Sequence, residues 1–365
     1  MNNKKARVIA FYLPQFHPIK ENDECWGKGF TEWNNVVQAK PLFRGHYQPR
    51  LPADLGFYDL RLPEIREQQA ELAREAGIEG FMYWHYYFGN DRTLLERPFQ
   101  EVLNSGKPDF PFCLGWANHS WQTKTWRHKT FQKQEMIMEM LYPGKEDYIN
   151  HFNYCLPAFK DERYITVDGK PIFTVFAPTS IPNAKEFIEI WQELAIKSGL
   201  KGIHFVGNMS GRTTTLKMLK DMGFDAVIEN RMWHAEAAVM GAGWKRRLKT
   251  LLSYKMGSSL AKFDYAEIIK YLGSEDMFDE SVYPSIIPGY DRSARAGKHG
   301  VIYYNSTPDL FRKHVHDIIK YVENKDDEHK IIFLKSWNEW GEGNYVEPDL
   351  KYGHGFLQAL SSELR

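Results

Sequence analysis

Eight short apolar runs, each followed by a segment of helical period, succeed one another along almost the whole chain. The runs fall at residues 8–13, 80–84, 110–116, 170–176, 202–207, 224–229, 283–287 and 330–335. They are apolar enough to be buried on both faces, as the strands of a parallel sheet are. The helical segments fall at 63–76, 94–105, 145–159, 182–198, 213–222, 265–272, 308–323 and 355–364. Gly77 stops the first of them, and Pro182 and Gly199 bracket the fourth. Eight strand–helix units predict an α/β protein, a single (β/α)8 TIM barrel over residues 1–365. The length, 365 residues, would also hold two average domains. An open doubly wound sheet is the other topology. It expects a glycine-rich turn after the first strand. Pro14-Gln15-Phe16-His17-Pro18 stands there instead.

Two connections are long. Residues 14–61 form a loop after strand one with no clear helical pattern, and loops of that length are usually functional. Residues 230–263 form an insertion after strand six. Its part 244–262 is basic, with Leu248, Leu251, Leu252 and Leu260 interleaved. A solvated helix is the simpler reading. Peripheral contact with an anionic membrane surface is the alternative.

The 47 basic and 47 acidic residues cancel, so no global attraction to nucleic acid is expected. Cys25, Cys113 and Cys155 are odd in number and lack ligand spacing, which suggests a reducing compartment and no zinc site. The first apolar run is too short for a signal peptide, and no stretch of about 20 apolar residues is present. A cytoplasmic protein is expected.

In a barrel the segments after the strands form the functional face. The surplus aromatics, among 11 Trp and 20 Tyr, collect there. Strand one is followed by Tyr12, Gln15 and His17, and its loop carries Glu32 beside Trp33. Strand two is followed by His85, and strand three by Trp116, Asn118, His119 and Trp121. Glu229 ends strand six. Tyr290, Asp291 and Arg292 follow strand seven, and Trp337, Asn338, Glu339, Trp340 and Glu342 follow strand eight. His17, His85 and His119 lack a local ligand spacing, so neither a metal nor a cofactor is expected.

Glu339 and Glu342 carry the chemistry. They sit three residues apart among Trp337, Trp340, Gly341 and Gly343. Acids at a helix N-terminus would be the plain reading, but the glycines disfavour a helix. Carboxylates beside indoles suit sugars: the ring packs on the apolar face and the acids move protons. Two acids on one short loop do not easily straddle a glycosidic bond. Either Glu32, Glu229 or Asp291 supplies a nucleophile, or the substrate does. For Glu32, a surface salt bridge under a structural Trp33 is an equal reading.

Several motifs together resemble the WbsX-like proteins, which are related to glycoside hydrolase family 99, the endo-α-1,2-mannosidases and mannanases. They are Phe11 through Pro18, Gly27 through Trp33, His46-Tyr47-Gln48-Pro49, Leu55 through Asp59, and Trp337 through Gly343. The resemblance spans residues 7 to 360. It implies a (β/α)8 barrel acting on α-linked glycans, in bacterial O-antigen or exopolysaccharide metabolism. It assigns Glu339 to deprotonating the sugar 2-hydroxyl and Glu342 to protonating the leaving oxygen. The resemblance also implies a 1,2-anhydro sugar intermediate and retained configuration. Two motifs depart from the family pattern. Ala117-Asn118-His119-Ser120-Trp121 has lost an acid usual at 119, and Gly289-Tyr290-Asp291-Arg292 has arginine for a usual asparagine. Both suggest a different subsite or acceptor. The expected partner is an oligosaccharide or polysaccharide, free or lipid-linked. A glycosyltransferase of surface-polysaccharide assembly and a non-catalytic glycan-binding barrel are the alternatives. The first lacks a D-x-D metal motif in a nucleotide-binding context, and the second leaves the two glutamates unexplained.

Overall fold

The computed structural model describes residues 5–122, 136–209, 213–241 and 261–365. The basic stretch considered for membrane contact lies outside the described residues up to position 260. No described helix is long and apolar enough to cross a membrane.

Eight parallel strands close into a barrel. They are β1 (Arg7–Tyr12), β2 (Gly80–Tyr87), β3 (Phe112–Trp116), β4 (Lys170–Val175), β5 (His204–Met209), β6 (Ala226–Glu229), β7 (Val282–Ile286) and β8 (Ile331–Leu334). Closure is explicit in the register: β1 pairs with β2 through Ile9 and Gly80, and with β8 through Val8 and Ile332. The predicted barrel is therefore present. The strands are buried on both faces, which explains their unbroken apolar sequence.

The outer helices are α1 (Pro63–Glu75), α2 (Arg97–Ser105), α3 (Lys145–Phe159), α4 (Ala184–Lys197), α5 (Leu216–Asp221), α6 (Tyr265–Ile268), α7 (Pro308–Val322) and α8 (Gly355–Leu364). Side-chain caps set several starts. Asn183 accepts from the Glu186 amide, and Thr307 from the Leu310 amide. Outward residues of the strands pack on the helices. Trp191 of α4 lies 4.7 Å from the Phe173 ring of β4 and 5.9 Å from Phe205 of β5. Burying each such ring contributes roughly 1.5–3 kcal/mol.

Three details differ from expectation. The loop after β1 contains two short helices, Lys20–Trp26 and Trp33–Gln38, each too brief to show periodicity. The sixth helix is a single α-turn continued as 3₁₀ over Ile269–Tyr271. On the functional face a small sheet forms: Ala261–Asp264 pairs with Val301–Tyr304, which pairs with Tyr290–Asp291. Strands of two to four residues leave almost no alternation to read.

Candidate active site

A cavity of about 400 Å³ opens where the strands end. Side chains alternate along a strand, so only every second residue faces inward. On β1 and its extension Phe11 and Leu13 line the cavity, whereas Tyr12 points outward and donates to Gln69 at 2.6 Å. On β2 Trp84 and Tyr86 face in. His85 faces out, to His151 at 2.9 Å and Cys155 at 3.8 Å. Those three are the described group whose donor atoms lie close enough together for a metal, and they are buried outside the cavity. At the end of β3 Trp116 is outward too, donating from Nε1 to the Tyr87 carbonyl.

Glu339 and Glu342 both line the cavity. They lie on opposite ends of a 3₁₀ turn, Trp340–Glu342, after β8. Asn338 clamps this loop to the end of β1. It accepts from the Leu13 amide at 2.8 Å and donates to the Leu13 carbonyl at 3.1 Å. Trp337 is fully buried against Phe81, with ring centroids 5.2 Å apart. Trp340 points away from the cavity, and its Nε1 donates to Glu347 at 2.6 Å. Tyr58 and Gln69 donate to the same carboxyl, yet burial pushes Glu347 up to about 7.

Arg295 organises the acids. Its Nε and Nη2 hold Glu32 at 3.0 and 2.8 Å. Nη2 also reaches Glu339 at 2.5 Å, and Nη1 reaches Glu342 at 2.8 Å. The two cavity carboxylates thus hang on the two arms of one guanidinium and face the same side. Burial pushes Glu32 up to about 7 against the pull of Arg295. Burial likewise raises Glu339. Glu342 is buried as well, but Arg295, Arg292 and Lys335 together outweigh that burial and lower it. Among these acids, charge is most favourable on Glu342, while burial favours the protonated form of both Glu32 and Glu339.

The loop glycines are explained by close approach rather than looseness. A Cβ on Gly341 would stand 1.6 Å from Glu32 Oε1. Gly343 has φ +56°, and a Cβ there would meet Asp291 Cβ at 2.8 Å.

Of the residues proposed to touch substrate, Gln15, Trp121 and Tyr290 line the cavity with the two glutamates. The others do not. Glu32 and Asp291 are fully buried behind it. Asp291 Oδ2 accepts from His46 and Gln48, both at 2.8 Å, and its Oδ1 accepts from the Ser293 amide. Burial opposes ionisation of Asp291, but these bonds and Arg50 hold it below the usual range. Trp33 packs under the site and donates to the Tyr58 carbonyl. His17 is buried, which lowers it to about 4. Asn118 joins loops, accepting from the Ala177 amide at 2.7 Å and donating to the Ala177 carbonyl. Tyr12, His85, Trp116, Trp337 and Asn338 serve packing and loop positioning, as above. Glu229, the third nucleophile candidate, is held by Arg231 and Ser274 away from the cavity. Among the described residues, Glu339 and Glu342 are therefore the carboxylates that line it. Arg295, Lys335 and Trp84 were not anticipated. Strict alternation would have found Trp84, two residues before Tyr86. Arg295 carries no local signal.

The sequence model of the family described as Glycosyltransferase WbsX matches residues 8–360. The WxcX proteins of two Xanthomonas campestris pv. campestris strains are 33% identical over 360 residues. That match takes in 98% of this chain and 50% of theirs, so the chain spans about half the length of those relatives. Among solved structures, a glycoside hydrolase-like protein aligns with TM-score 0.61 at 16% identity, over 100% of this chain and 95% of the other. The GH99 endo-α-mannosidase from Bacteroides thetaiotaomicron aligns with TM-score 0.56 at 14% identity, over 98% and 95%. At such identities the likeness is one of fold.

Proposed function

The chain belongs to the WbsX family, and from that premise we propose that it is a carbohydrate-active enzyme that cleaves or transfers α-linked glycans with retained configuration. One observation carries this reading: two carboxylates on the arms of a single buried arginine, at the mouth of an aromatic-walled barrel. Trp84, Tyr86, Trp121 and Tyr290 give flat faces for sugar rings. The GH99-like fold supports the same class of substrate, an α-mannoside-like glycan.

The three candidate nucleophiles lie behind or away from the cavity, which favours substrate participation. In the proposed first step Glu339 takes the proton of the 2-hydroxyl, and O2 attacks C1. The C1–oxygen bond to the leaving sugar breaks, and Glu342 donates a proton to that oxygen. Water or an acceptor hydroxyl then opens the 1,2-anhydro sugar at C1. Glu342 takes its proton and Glu339 returns one to O2. In the free site burial raises Glu339, whereas Arg295, Arg292 and Lys335 lower Glu342. A cytoplasmic enzyme is the setting we propose, and surface-polysaccharide metabolism is the one the family suggests.

The family's description favours a second reading, glycosyl transfer from a nucleotide sugar. One assay separates the two. Wild type and Glu342→Gln are incubated with α-mannan oligosaccharides, with a lipid-linked O-antigen glycan and with nucleotide sugars. New reducing ends, or glycan-to-glycan transfer, are expected from wild type and about 10³-fold less from the variant. Consumption of a nucleotide sugar with both glycans untouched defeats the glycosidase reading.

A further inference from the structure

Three cations line the cavity against its two carboxylates: Arg292, Arg295 and Lys335. Arg295 is fully engaged by the glutamates around it. The other two are not. Arg292 has a side chain 35% exposed, and its Nε is 3.3 Å from Glu342 without the geometry of a hydrogen bond. Lys335 has no carboxylate within ion-pair distance among the described residues. Its ammonium lies 5.6 Å above the Tyr290 ring and 3.8 Å from the Met232 sulfur. An ammonium held over an aromatic face at a cavity wall keeps its field directed at whatever enters. His119 and Arg292, the two motif departures, both line this cavity.

We propose that the sugar bound here carries an anionic group, a carboxylate or a phosphate, held between Arg292 and Lys335. The inference rests on the glycan-site reading above and names the substrate class for that site. An anion here also has a mechanistic consequence. It competes with Glu342 for Arg292, and so loosens the grip that keeps Glu342 ionised. The anion has two chemical sources: a uronic acid residue within the glycan, or the phosphate at the reducing end of a lipid-linked one.

The test is binding by calorimetry to three probes: methyl α-mannoside, the matching methyl uronate glycoside, and mannose 1-phosphate. A charged probe is expected to bind about tenfold or more tightly than the neutral one, the value of roughly one charge-assisted hydrogen bond. Added salt should weaken the charged probe and leave the neutral one. In Lys335→Met and in Arg292→Asn the preference should fall toward unity, with folding checked by thermal unfolding. Preference for the uronate identifies the glycan as the source, and preference for the phosphate identifies the lipid-linked end. Charged probes that bind no better than the neutral one, or fail to bind, overturn the proposal from wild type alone. So does a preference that persists in both variants. Efficient cleavage of neutral glycans without charge preference would sink this inference and leave the glycosidase reading standing. Charge-selective binding without cleavage would do the reverse.

Discussion

Two buried charge clusters meet in the loops above the barrel, and they are built in opposite proportions. Around Arg295 one guanidinium serves three carboxylates, two of them at the cavity. Around Asp291 one carboxylate is served by His46, Gln48, Arg50 and a backbone amide, and it is sealed from solvent. In the first cluster acids outnumber cations, so protonation is unsettled: Glu32 and Glu339 are raised while Glu342 is lowered. In the second, donors outnumber acids, and charge on Asp291 is settled. A surplus of acids over one cation suits the proton transfer proposed above, and a surplus of donors over one acid makes a lock. The lock joins residues 46–50 to the segment that carries Arg292 and Arg295. It therefore positions the first cluster without touching substrate.

The sharpest way to break this contrast is Arg295→Met. It leaves three carboxyls without their shared cation and should cost about 3–5 kcal/mol in chemical unfolding. Turnover by the folded enzyme should fall by at least about 10²-fold. Arg295→Lys should recover little, because a point charge cannot reproduce the fork. Near-normal turnover in either variant would mean that Arg295 only fills space.

Asp291→Asn should separate locking from chemistry. It should destabilise by about 1–3 kcal/mol, the cost of unpairing buried polar groups, and move kcat far less than Arg295→Met does. Its pH dependence follows from the sign of the shift. The folded value lies below the ordinary 3.8, so the wild-type advantage over Asn is fully present above 3.8. It should shrink as pH falls through the folded value. An advantage unchanged down to strong acid would show that Asp291 is not held as the anion.

The most local effect is expected from Gly341→Ala. Its Cβ would overlap the Glu32 carboxylate, and relief of such overlap typically costs about 1–3 kcal/mol. Because the strain falls on the Glu32–Arg295 pair, kcat should drop alongside stability. A stable, fully active Ala variant would contradict the packing of these loops.

The barrel was legible because each buried strand shows as an unbroken apolar run and each helix carries its own period. The Asn338–Gly343 loop drew attention through two acids among indoles, and the acids do line the cavity, but Trp337 and Trp340 turn away from it. On the strands one cause separates the residues that line the cavity from those that do not. Reading the loops located the functional face but not which side chains turn inward. Tyr12, His85 and Trp116 sit one residue out of phase with Phe11, Trp84 and Ala117, and a single step along a strand reverses the face. Glu32 proved to be no surface salt bridge but a fully buried partner of Arg295, while Trp33 donates to the Tyr58 carbonyl. Arg295 lies far in sequence from Glu32 and Glu339, so nothing local announces the contact.

The central claim is that Glu339 and Glu342 handle protons while the substrate supplies its own nucleophile. It is tested most directly with a pair of α-linked substrates, identical except that one lacks the 2-hydroxyl on the sugar whose bond is broken. The account predicts cleavage of the hydroxylated glycan with retained configuration and no cleavage of the 2-deoxy one. Cleavage of the 2-deoxy glycan at a comparable rate would contradict it.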